Sequence, residues 1–146
     1  MLEISLNADS LEKGLEKLLR NATNTRPMMR AIATEMVSLT EDNFESESWG
    51  GEKWEQSKRA ANGGKTLQLT GQLAASISTK IGNGFAQIGS NKKYAAIHHL
   101  GGQAGRGRKV TIPARPYLPI NGSGQLQNGA EKKLIDIAIE SLKAGL

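Results

Sequence analysis

The chain has 146 residues, enough for about one domain, and 38% are hydrophobic with only two each of Phe, Tyr and Trp, so its core must be mainly aliphatic. It has no cysteine, which excludes disulfides, thiolate metal sites and a cysteine nucleophile, and suits a chain made in the reducing cytosol. The net charge of +5 is divided unevenly: residues 1–56 carry eleven acids and six bases, a balance of −5, and residues 57–146 carry three acids and thirteen bases, a balance of +10.

The first twenty residues lack the basic and apolar regions of a signal peptide, and no apolar run approaches the roughly 20 residues needed to span a bilayer. A soluble product without membrane contact is expected. "LEISL" (2–6) alternates apolar and polar residues, as a short half-buried strand does. Asp9 with Glu12 forms an acid-headed capping box, and Leu11, Leu15, Leu18 and Leu19 share one face of a helix over 10–22. A second helix is predicted over 26–45, capped by Thr25 with Pro27 in its first turn. Its inward row is Met29, Ile32, Ala33, Met36, Thr40 and Phe44, the methionines acting as adaptable core filler.

Residues 45–66 are polar and glycine-rich without periodicity, and predict a long loop holding a brief turn of helix. Trp49 and Trp54 lie in it, either to pin the loop to the body or to anchor a partner. "LQLTGQLAASI" (67–77) predicts a short helical piece capped by Thr70 that runs into a strand. "GNG" (82–84) between "SISTKI" and "FAQIGS" predicts a β-hairpin over 76–89. "KKYAAIHHLGG" suits a turn or two of helix ended by glycine, and "KVTIPA" (109–114) a further strand. A last helix follows "NGSG", with Ala130, Leu134, Ile137, Ala138 and Ile139 inward. The result is a single α+β domain over 1–146. A small, mainly antiparallel sheet of about four strands is packed by two or three helices, with a long Trp-containing loop and a basic Gly-rich loop.

Little of this supports a reaction. His98 and His99 are adjacent, so their side chains diverge, whereas chelating histidines on a helix stand at i and i+4. No Asp or Glu occurs between Gln56 and Ala130, which removes local carboxylate pairs, and no G-x-S-x-G elbow is present. "GGQAGRGR" lacks the Lys-Ser/Thr ending of a phosphate loop and is followed by a strand where a helix should begin. No catalytic, cofactor-binding or metal-ligating residue is nominated. Arg106, Arg108 and Lys109 read instead as a mobile basic loop, either simply solvated or ordered by a polyanion or an acidic partner. In "TIPARPYLPI", Pro113, Pro116 and Pro119 enforce a stiff, extended path. Tyr117, Leu118 and Ile120 are expected to be presented from that path for docking, with Arg115 between two prolines.

Four segments occur in a telling order: Phe44 with "WGG" (49–51) and Trp54, "LTGQLAASI" (69–77), "YAAIHHLGG" (94–102) and "IPARPYL" (112–118). Together they resemble the phage virion-morphogenesis family, which includes tail-completion proteins of Mu-like and other contractile-tailed phages. The similarity runs over nearly the whole chain. Leu69, Thr70, Gly71 and Leu73 match its first motif, Tyr94, Ala95, His98 and Gly101 the second, and Pro113, Ala114, Arg115, Pro116, Tyr117 and Leu118 the third. The resemblance implies fold and assembly residues, and a structural protein that completes the tail and joins it to the head by oligomerising and docking. Its implied partners are copies of itself in a ring, the tail tube or tail terminator, and the head connector. Its implied place is the host cytoplasm during assembly and then the tail or neck of the virion. In a ring, the acidic helices of one subunit would face the basic half of the next, or Arg106, Arg108 and Lys109 would touch DNA in the lumen. The alternative is a non-specific nucleic-acid-binding protein that uses the basic half, 57–146.

Overall fold

The structure, a computed structural model, describes residues 24–57 and 71–144. The strand expected at 2–6, the helix at 10–22, the Thr70 cap and the loop from 58 to 66 lie outside these residues. What is described is α+β.

Helix α1 (Arg26–Ser46) is the central element. The whole expected row from Met29 to Phe44 is buried, and Met28, Leu39 and Asn43 join it. Each large apolar side chain taken from water there contributes about 1.5–3 kcal/mol. Thr25 does not cap the helix with its side chain. Its N–H and hydroxyl both donate to Asn83 Oδ1 (2.9 and 2.7 Å), and its Oγ accepts from Gly84 N–H at 2.6 Å. The hydroxyl ties the helix start to a distant turn because that turn offers both a donor and an acceptor.

The helix ends at Glu47, which adopts a left-handed conformation. The predicted loop begins here as a tight hairpin, β1 (Ser48–Trp49) against β2 (Glu52–Lys53). Gly50 and Gly51, at φ of +58° and +97°, supply the positive φ values that a two-residue turn requires.

After α2 (Gln72–Ala75) comes the expected hairpin, β3 (Ile77–Gly82) paired with β4 (Phe85–Ser90). Ile77, Ile81, Ala86 and Ile88 fall on one face, following the period of two, and pack against the core. Helix α3 (Ala95–Leu100) leads into β5 (Gly102–Ala104), a 3-10 turn (Arg106–Arg108) and β6 (Val110–Ile112). Strand β5 was not foreseen. It pairs with the expected β6, Gly102 opposite Ile112. Helix α4 (Ala130–Ala144) closes on α1, with Ala130, Leu134 and Ala138 buried and Ile137 and Ile139 half-buried. Lys133 Nζ on α4 reaches Glu35 on α1 at 2.9 Å. The antiparallel pairing is therefore distributed over three two-stranded ladders among the described residues, rather than gathered into one sheet.

Candidate docking arm and its mount

The proline segment expected to face outward is wrapped into the interior. Tyr117 and Leu118 are 0% and 1% exposed. The prolines explain why burial is tolerable. Each removes a backbone N–H, so the segment carries mainly carbonyls that need partners. Those partners come from three directions. Trp54 Nε1 donates to Pro116 O at 2.8 Å, Trp49 Nε1 to Leu118 O at 2.9 Å, and Asn43 Nδ2 to Tyr117 O at 3.0 Å. Asn43 Nδ2 also reaches Gln127 Oε1 (2.7 Å), and its Oδ1 accepts from Gly50 N–H (3.2 Å). One buried amide thereby joins α1, the first hairpin, the proline segment and the approach to α4.

Tyr117 is the centre of this clasp. Its ring stacks on Phe44 (5.1 Å, 25°), which in turn meets Trp54 edge-on at 5.9 Å. Its hydroxyl donates to Ala95 O at 2.6 Å, and burial raises its pKa well above the ordinary 10.0. His99 stands edge-on to the same ring at 5.0 Å and is 1% exposed. Its Nδ1 accepts from the N–H groups of Tyr117 (3.1 Å) and Leu118 (3.4 Å), while Nε2 faces Ile120 O at 2.7 Å. An amide can only donate and a carbonyl only accept, so this pattern requires the neutral Nε2–H tautomer. Burial lowers its pKa, against the smaller opposing effect of the Ile120 carbonyl. His98, half-buried, is also lowered, first by burial and then by the Arg115 charge. Its ring meets Tyr94 edge-on at 5.8 Å.

From this mount rises the β5–β6 arm. Its two stems nearly touch at Gly101, which has φ +75° and where a Cβ would lie 2.8 Å from Ala114 N. Only glycine meets both demands. Beyond the stems most of the arm is exposed. Gly102, Gln103 and every residue from Gly105 to Thr111 are exposed, and Val110 retains 52% of its surface. Arg108 holds φ +55°, rare for a residue with a side chain, directly after Gly107, where the 3-10 turn is broken at φ +72°. Arg106, Arg108 and Lys109 form its tip, with no acid in the arm's sequence.

The expected site residues thus separate. Arg106, Arg108 and Lys109 are out on the arm, with Tyr94 39% exposed below it. Pro116, Tyr117 and Leu118 are turned inward, their carbonyls held by the two indoles and Asn43, and Pro113 is half-buried. Arg115 is likewise turned inward, its Nε donating to Glu55 O at 2.7 Å and its N–H to His98 O at 2.9 Å. Trp54 is buried and Trp49 half-buried, both pinning the proline segment to the body. Sequence reasoning missed Asn43 and His99. The signal for Asn43 was a polar residue beside the inward row of a helix; His99 had no signal distinguishing it from His98. Among the described residues no cluster of three or more His, Cys, Asp or Glu is placed to hold a metal, and no helix is long and apolar enough to cross a membrane.

Comparison with known proteins gives this arrangement a lineage. The model of the phage virion morphogenesis family matches residues 6–143. Mu-like prophage FluMu G protein 2 of Haemophilus influenzae is 44% identical over 119 residues, covering 81% of this chain and 83% of that one. The putative capsid assembly protein G of Escherichia phage Mu is 34% identical over 136 residues, covering 85% and 86%. No solved structure matches significantly. With the match running almost end to end, and relatives of nearly the same extent, the chain belongs to the phage virion morphogenesis family, a family of phage assembly proteins.

Proposed function

We propose that this protein is a docking subunit that acts in tail completion and head–tail joining, at the neck or tail end, by oligomerisation and without a chemical step. The observation that carries the reading is a basic arm, mounted on a buried clasp, that spends almost none of its surface on its own body. An arm of this kind is held in one direction by Gly101 and the proline segment, so little is lost in orienting it when a partner binds. A relative named as a putative capsid assembly protein supports an assembly role. Val110, exposed among the cations, favours a protein surface over phosphate, since a bare aliphatic side chain gains nothing from a sugar–phosphate backbone. The arm also carries no aromatic residue on which bases would stack.

The test is deletion of the gene from an inducible parent phage, with the lysate viewed by negative-stain electron microscopy. Filled heads beside separate, normal-length tails are expected. Overlong tails would move the protein to length termination. Normal infectious particles would overturn the assembly reading and leave salt-dependent nucleic-acid binding by the basic half to be measured instead.

A further inference from the structure

We propose that the arm's partner is a groove on a second copy of this chain, an inference that rests on the docking reading above. The groove, about 1070 Å³, opens between the β1–β2 hairpin, the turn at 123–129 and the first turns of α4. Trp49, Leu126 and Ile135, all half-buried, supply apolar lining, and Leu126 and Ile135 pack onto the core beneath. Three exposed carboxylates, Glu52, Glu131 and Asp136, share that lining. Among the described lining residues Lys132 is the one cation and lies 3.9 Å from Asp136, which leaves these residues a net surplus of negative charge.

The arm matches it in each respect. Val110 is an exposed apolar knob, and Arg106, Arg108 and Lys109 precede it in a stretch without a single acid. No arm residue lines the groove of its own chain. Arm and groove are different surfaces, so the contact is head-to-tail: each copy offers its arm to one neighbour and its groove to another. Such an interface closes into a ring or continues as a filament, according to the rotation between copies. The acidic groove and the basic arm would each repel their own kind and so select the alternate pairing.

The chain has no cysteine, so introduced thiols report unambiguously. Full-length Lys109→Cys is mixed with full-length Asp136→Cys at millimolar concentration under mild oxidation. Lys109→Cys mixed with Arg30→Cys, a position outside the groove, serves as the control. The mixture is expected to give a disulfide-linked pair on the order of tenfold faster than the control, since a docked thiol sees a high effective concentration. Reversing the arm (Arg106→Glu with Arg108→Glu) should abolish that excess, and reversing the groove in the partner (Glu52→Lys with Glu131→Lys) should restore it. Equal rates in mixture and control overturn the second-copy partner. Excess cross-linking that ignores both reversals overturns it too, because the contact would then not be this one. If cross-linking fails while arm-reversed phage still yields unjoined heads and tails, the docking reading stands and its partner is another protein. If it fails while the arm retains DNA in a charge-dependent way, the partner is nucleic acid.

Discussion

The proline segment 113–119 and the arm 102–112 are neighbours in sequence and opposites in structure. The first looks, by composition, like a surface strip: three prolines, an arginine, a tyrosine. It is nonetheless where the core is tied together, because a stretch short of N–H groups can be buried once a few donors reach its carbonyls. The second is glycine-rich and basic, and folds into a largely exposed antiparallel ribbon. Stiffness went inward and exposed charge went outward. The contrast teaches that an exposed ribbon can be carried by a segment whose own groups are locked into the core.

That division of labour is open to attack by mutation. The largest loss is expected for Tyr117→Ala, which empties the space between Phe44 and His99. It should cost about 3–5 kcal/mol, read from urea unfolding midpoints. A loss below about 1 kcal/mol would mean that the clasp is not the fold's keystone.

Gly101→Ala comes next. A positive φ together with a Cβ pressed on Ala114 N should cost about 2 kcal/mol, and thermal unfolding would register it. The same substitution at Gly51, where nothing lies within 4 Å of the added carbon, should cost less. Equal losses at the two positions would remove the argument for close approach of the arm's stems.

Acid should also act on the clasp. His98 and His99 both have pKa values below the ordinary 6.5, so the unfolded chain takes up protons there that the folded chain refuses. Stability is therefore complete above about pH 6.5 and declines as the pH falls below it. His99→Gln should lower stability at neutral pH and flatten this acid slope; an unchanged slope would assign the effect to other groups.

The smallest effect on stability is expected from the arm. Arg106→Glu, Arg108→Glu and Lys109→Glu together should change the unfolding free energy by no more than about 0.5 kcal/mol, since these side chains are exposed. Calorimetry of the triple variant beside Tyr117→Ala would place the two regions on one scale.

Much of this was legible beforehand. The inward row of α1 followed from its spacing, and the second hairpin from Gly-Asn-Gly, because periodicity and turn chemistry are local. The first hairpin also had its signal, the Gly50–Gly51 pair between Trp49 and Glu52, which a search for long loops passes over. The clasp was not legible. Its bonds join residues 43, 49, 54, 99 and 117, and nothing local in any of them says which distant carbonyl it will meet. Pro116 and Pro119 said nothing about which way their segment faces, and the chain bends at Leu118 and Pro119. The exposure of Arg106, Arg108 and Lys109 was legible, because an acid-free, glycine-rich basic stretch has few ways to be buried.

The most direct test of the central claim is to complement the gene-deleted phage with the arm triple variant and count joined particles by electron microscopy. The account predicts a folded, abundant protein and a lysate of filled heads with unattached tails. Infectious particles at the wild-type level would contradict it, for the arm would then be dispensable to assembly.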